Sequence, residues 1–261
     1  MTTYKMALIT GASSGIGEEF ARQLADRGSD LVLVARSEDK LRALAKQLAE
    51  LHSRRVETVT LDLCTPGAAG KLREALQALK LTPDLLVNNA GFGTAGAFWK
   101  QDAAREQQEI ALNVGALVDI TRAFLPSMVE ARHGGVLNVA SLAGFQPLPY
   151  MAVYAATKAF VLSFSQSLRA ELRGTGVGVV CLCPGPVDTP FFEATGVPGM
   201  RKTVPRGTMV TAEAVVSAAL RRLDAGGGVV LPGAAAKLMA AGSRLVPHAL
   251  LAATTARFMR R

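Results

Sequence analysis

The chain has 261 residues, 49% of them hydrophobic and 19% charged, with a formal net charge of +8. That length and apolar share exclude a disordered protein and suit one large α/β domain with a sizeable core. Three cysteines without metal-type spacing and three isolated histidines exclude a disulfide framework, and no metal site is assigned.

The first residues run straight into an apolar strand, with no secretory h-region or cleavage signal, so a cytoplasmic location is expected. No uninterrupted apolar stretch approaches the roughly 20 residues of a bilayer span. From the N-terminus, residues 5–10 read as a buried strand, 15–27 as a helix and 30–35 as a second strand. Residues 38–52 carry Leu41, Leu44, Ala45 and Leu48 at helical spacing. A third strand is expected at 56–61, a third helix at 66–79 and a short fourth strand at 85–87. Helices cover much of 101–130 and 151–173, with strands at 135–140 and 176–182. The strands are almost continuously Val, Leu and Ile, which indicates burial on both faces and a parallel sheet. Strand and helix alternate, which gives a doubly wound, Rossmann-type α/β fold.

After Pro184 the rhythm changes. Residues 191–208, rich in Gly, Pro and Met, read as a mobile insert and a substrate lid. A helix at 212–223 and a strand at 228–231 complete the domain. Residues 233–261 form a helical C-terminal extension of the same single domain. It either packs on a subunit, shapes the substrate mouth, or lies on a membrane through an apolar face with Arg257, Arg260 and Arg261. Cys181 and Cys183 share one face of a strand and read as small buried hydrophobes.

Between the first strand and first helix stands Thr10-Gly11-Ala12-Ser13-Ser14-Gly15-Ile16-Gly17. Glycines in such a turn permit positive φ and bring backbone close to a pyrophosphate at the helix N-terminus, while Gly17 lets helix and strand pack closely. The second strand ends Ala35-Arg36-Ser37, where an NAD-binding chain would place an acid for the ribose hydroxyl. A guanidinium there holds a 2′-phosphate bidentately, which favours NADP(H) over NAD(H).

Tyr154 and Lys158 lie four apart on one face of a helix. A free phenol has a pKa of about 10, and a neighbouring ammonium is expected to lower it, equipping Tyr154 for proton transfer. Ser141 follows the fifth strand at the carboxyl edge of the sheet, placed to hydrogen-bond a reacting oxygen. Asn113 sits mid-helix, where its residue type more often serves solvation or packing.

Together with Asp62, Asn88-Asn89-Ala90-Gly91 and Pro184-Gly185, these motifs occur in an order that resembles the short-chain dehydrogenase/reductase family across residues 5–190. The resemblance implies that Tyr154 is the acid/base and that Ser141 holds the substrate oxygen. Lys158 then binds the nicotinamide ribose, and Asn113 holds a water linking Lys158 to solvent. It further implies that Gly11, Ser13, Ser14, Gly15 and Ile16 surround the phosphates. Asp62 and Leu63 edge the adenine, with Asn89, Ala90 and Gly91 beside its ribose. Val187 and Thr189, after Pro184 and Gly185, contact the carboxamide. Arg36 matches the NADP-preferring branch, although Ser14 stands where another NADP-binding branch has a second cation. The family commonly assembles through the helices carrying Asn113 and Tyr154, so a homo-dimer or homo-tetramer is implied.

Phe145, Leu148, Met151, Phe191, Phe192 and Met200 supply a mostly apolar substrate wall, suited to a hydrophobic ketone, aldehyde or secondary alcohol. The alternative substrate is a 3-oxoacyl thioester on coenzyme A or an acidic carrier protein, met by Arg201, Lys202 and Arg206. A non-catalytic NADP-sensing module is the remaining reading. The positive charge is dispersed and no nucleic-acid-binding motif accompanies it.

Overall fold

The computed structural model describes residues 4–197, 199–204, 208–243 and 246–259. Arg206 and the side chain of Lys202, named above for a carrier or coenzyme A, and Arg260 and Arg261, named for a membrane face, lie outside the described residues. Seven parallel strands form one sheet: β1 (Met6–Thr10), β2 (Asp30–Ala35), β3 (Val56–Thr60), β4 (Leu85–Asn88), β5 (Gly134–Val139), β6 (Val177–Leu182) and β7 (Gly228–Val230). Their order is β3-β2-β1-β4-β5-β6-β7. The chain therefore reverses its winding direction between β1 and β4, which opens a crevice at the carboxyl ends of those strands.

The apolar runs of the strands serve two cores at once. Ile9, Leu33, Val87, Leu137 and Val180 face α1 (Gly15–Asp26), α2 (Glu38–His52) and α8 (Ala212–Asp224), contributing Phe20, Leu41 and Val216 among others. Leu8, Val32, Leu86, Val136 and Val179 face the other way. There they meet α3 (Ala68–Ala78), α5 (Leu117–Glu130) and α6 (Ala152–Glu171). Alternation along each strand, with both faces covered, is the geometry that a parallel sheet requires.

The helical pattern over 101–130 resolves into three parts. α4 (Ala103–Ile110) is followed by a π-helical segment, Ala111–Ala116, and then by α5. Ala103–Glu130 is long enough to cross a membrane, and an 18-residue window within it reaches a mean hydropathy of 1.2. Here it flanks the sheet, burying Ile120, Phe124 and Met128. A buried amide chain crosses the sheet beneath it: Asn88 Nδ2 donates to Asn138 Oδ1 and to Thr121 Oγ1, each at 2.9 Å. Asn138 Nδ2 in turn donates to Ser165 Oγ at 3.0 Å.

The insert expected to be one mobile stretch contains the short helix α7 (Phe191–Ala194) and a 3₁₀ turn, Met200–Thr203. In the C-terminal extension, α9 (Ala234–Gly242) buries Ala236 and Ala240 against Leu142, Leu231 and Phe145. α10 (His248–Met259) follows it.

Candidate active site

The glycine turn after β1 is shaped by contacts from far along the chain. Gly11 and Gly15 hold φ of 65° and 59°, values that L side chains rarely adopt. The Gly11 amide donates to the Val34 carbonyl at 2.8 Å. Asn89 clamps the turn from the other side, with Nδ2 donating to the carbonyls of Thr10 (3.0 Å) and Gly11 (3.1 Å). The amides of Asn89 and Ala90 both donate to Thr10 Oγ1 at 3.0 Å. The Asn89 side-chain nitrogen is thus committed to building the loop.

A Cβ on Gly17 would run into the Gly11 carbonyl oxygen and the Asn89 amide. We expect Gly17→Ala to displace the turn at a cost of about 1–3 kcal/mol and to weaken NADPH binding about tenfold or more. Fluorescence titration with NADPH checks this, and native affinity in that variant would refute the close-packing account.

Several features make this turn a fit for a dinucleotide. Ser14 is the N-cap of α1, yet its side chain makes no capping hydrogen bond. The helix's first amides are thus not satisfied by that side chain, as an incoming phosphate requires. Ser13 and Ile16 are partly exposed on the same turn, and Thr189, from beyond β6, packs against Gly15. Arg36 is exposed at the end of β2. After β3, Asp62 folds its own loop by accepting from the Cys64 amide at 2.9 Å, and Leu63 beside it is buried. The segment Pro184-Gly185 is tied to the reaction side, because the Pro184 carbonyl accepts from the Leu142 amide at 2.9 Å. Val187 is buried and pairs with Val210 in an isolated bridge.

Tyr154, Lys158, Ser141 and Asn113 converge at the carboxyl edge. Tyr154 and Lys158 come from α6, one turn apart and both buried. Lys158 Nζ donates to the Val139 carbonyl at 2.9 Å and lies 5.7 Å from the centroid of the Tyr154 ring. Ser141 caps a 3₁₀ turn, its Oγ accepting from the Ala143 amide at 3.1 Å, so its own proton remains to be donated. Asn113 lies in the π-helical segment, a local widening that often marks functional sites. Its side chain is tied to two segments: Oδ1 accepts from the Phe92 amide, while Nδ2 donates to the Phe92 carbonyl and to Thr157 Oγ1.

The expected lowering of the Tyr154 pKa by Lys158 is not what the free chain shows. Burial pushes the phenol up to about 12, and hydrogen bonding with Ser141 only partly opposes this. Burial likewise brings Lys158 down to about 8. Desolvation is the largest cause of both shifts, because each group is withdrawn from water. Tyr154 is thereby held as a neutral phenol, the form that donates a proton.

Around Tyr154 lies an apolar cluster. Met151 and Met200 are buried with it, and Leu148, Phe191 and Phe192 pack against them. The Phe191 ring lies 5.3 Å from that of Tyr154. The segment after β6 also carries an Arg201–Asp188 ion pair at 2.5 Å, and Arg105 donates to the Ala194 carbonyl at 3.1 Å. Phe145 does not join this wall. It turns away beneath α9 and β7, packing with Leu142, Val229 and Leu231, and belongs to the core. Sequence reading also passed over Glu109, fully buried beside this site, and Tyr150, which precedes α6 with φ of 65°.

The family model for short chain dehydrogenase matches residues 5–196. The chain belongs to the short-chain dehydrogenase family. Among solved structures, this dehydrogenase is similar to a Sphingobium yanoikuyae short-chain dehydrogenase in complex with NADPH. The identity is 36%, covering 92% of this chain and 94% of that one, with a TM-score of 0.82. It also resembles the bulky-bulky ketone specific alcohol dehydrogenase of Comamonas testosteroni at 31% identity and TM-score 0.78, over 94% and 93% of the two chains. A very-long-chain 3-oxoacyl-CoA reductase of Rattus norvegicus is 33% identical over 82% of this chain and 67% of its own. Chains bound to NAD as well as to NADPH occur among the similar structures. The protein is therefore an oxidoreductase of the short-chain type, acting between C=O and CH–OH, with a nicotinamide cofactor.

Proposed function

We propose that the chain is an NADP(H)-dependent reductase of hydrophobic ketones or aldehydes, working reversibly on the matching secondary alcohols. The observation that carries this reading is a buried Tyr154, its phenol pKa raised by that burial, set into a wall of Met151, Leu148, Phe191, Phe192 and Met200. Such a wall strips water from an apolar substrate and leaves few polar groups to compete for its one oxygen. A reduced nicotinamide, when bound, supplies the hydride. Ser141 donates a hydrogen bond to the carbonyl oxygen and Tyr154 donates its proton to the same atom as negative charge develops there. Lys158 orients this end of the site through its bond to the Val139 carbonyl, and Asn113 braces the segment after β4 against α6. The exposed guanidinium of Arg36, with no acid at the end of β2, supports NADP(H) over NAD(H).

The 33% identical rat relative favours a second reading, reduction of a long-chain 3-oxoacyl thioester. A panel of free ketones, aldehydes and 3-oxoacyl thioesters, followed by NADPH oxidation, separates the two. The ketone reading expects free bulky ketones to be turned over at rates equal to or above those of the thioesters. A thioester rate more than about tenfold higher, falling steeply with salt, would replace it with the second. No turnover of any carbonyl would defeat both.

A further inference from the structure

The two residues that α4 buries are carboxylates, Glu106 and Glu109. Glu109 has no exposed surface at all. Its Oε2 accepts from the amide of Thr94 at 2.8 Å and from the Thr94 hydroxyl at 2.7 Å. Among the described residues, Oε1 has no hydrogen-bond partner. Apolar burial of such a group is costly without a compensating charge.

The loop that Glu109 grips runs along the proton-transfer residues. A Cβ at Gly91 would lie 2.8 Å from Asn113 Oδ1 and 3.5 Å from Lys158 Nζ, and one at Gly93 would lie 2.9 Å from the Tyr154 ring. Glu109 also stands one helical turn before Asn113, near the end of α4, a helix that packs against α6. The ionisable groups that face it are Lys158 and Tyr154 from α6 and Glu106 from its own helix. Lys158 is the cation of that set, and its other ionisable neighbours are the thiols of Cys181 and Cys183 on and just after β6.

We propose that Glu109 is a positioning residue for proton transfer, its buried carboxylate serving as the counter-charge that keeps Lys158 an ammonium beside Tyr154. This rests on the reading of Tyr154 and Lys158 as the proton-transfer pair. Burial raises the Glu109 carboxyl, whereas the two Thr94 hydrogen bonds and Lys158 favour its ionised form. A negative charge here favours the protonated forms of both Lys158 and Tyr154. Removing it lets both lose their protons at lower pH. Since reduction needs the protonated phenol, the alkaline limb of kcat then moves toward neutrality.

The test compares the native enzyme with Glu109→Gln, whose amide oxygen still accepts both Thr94 bonds, and with Glu109→Asp, which keeps the charge. Glu109→Met, neutral and similar in volume, substitutes for the Gln variant if that fails to fold. We expect the alkaline limb of ketone reduction to fall by about one pH unit in the neutral variants, with KM little changed, and to return toward the native position in the Asp variant. Tyrosinate absorbance of the cofactor-free proteins, with Tyr154→Phe subtracted, is expected to move in the same direction. An unmoved limb together with an unmoved tyrosine titration overturns the proposal. A shifted titration in proteins that reduce no ketone supports the counter-charge and overturns the catalytic reading instead.

Discussion

Tyr154→Phe is expected to lower kcat for carbonyl reduction by about 10³-fold or more while NADPH still binds. The substitution removes one oxygen and leaves the ring, whose packing against Phe191 and the Gly93 backbone is what fixes its place. Loss of a positioned general acid costs roughly 10²–10⁴ in rate. This site falls toward the upper end, because the other candidate donor, Ser141, has an ordinary aliphatic hydroxyl. Lys158 is directed at the Val139 carbonyl rather than at the phenol oxygen, so its position should survive the change. NADPH oxidation measures the rate, and fluorescence enhancement of bound NADPH measures binding. Near-native turnover in this variant would remove Tyr154 from the chemistry, and intact binding with no turnover in the native protein would turn the reading toward a nucleotide-sensing module.

The second large effect concerns cofactor choice. With Arg36→Asp, NADPH affinity is expected to fall about 100-fold, while NADH affinity changes little or improves. A charge-assisted contact to a phosphate contributes about 1.5–3 kcal/mol, and a carboxylate in its place adds repulsion, so about 3 kcal/mol is at stake. Arg36 is exposed on the surface, so folding should be unaffected. Paired titrations with the two reduced cofactors decide the matter. Equal losses for both would mean that Arg36 does not read the 2′-phosphate.

Much of this architecture was legible because it obeys period and punctuation. The strands are apolar runs bounded by glycine or polar breaks, and β2 and α2 fall at the residues that their patterns indicate. Tyr154, Lys158 and Ser141 could be placed at one edge because helix spacing and the carboxyl-edge rule are both geometric. What escaped depends on three-dimensional surroundings. The phenol's acidity is governed by the depth to which α6 is buried, so the nearby Lys158 misled. Phe145 reads as pocket lining by chemistry, but the 3₁₀ turn after Ser141 aims it under α9. Asn89 reads as a ligand contact from its motif, and its part as a clamp on the turn shows only in the fold. Glu109 did leave a trace, a carboxylate one turn from Asn113 on the same helical face, but its burial has no signature in a polar helix such as α4.

That clamp bears on how the chain acquires its binding site during synthesis. The glycine turn lies near the N-terminus, yet its shape is completed by Asn89 and Ala90, which follow β4, and β1 pairs with β4 across the middle of the sheet. When only β1, β2 and β3 have emerged from a ribosome, every glycine of the turn exists and nothing holds the Gly11 carbonyl in place from the β4 side. The nucleotide cradle is thus an outcome of global folding rather than a motif that assembles locally. A nascent or truncated chain ending before β4 would carry the full glycine signature and be unable to grip a dinucleotide.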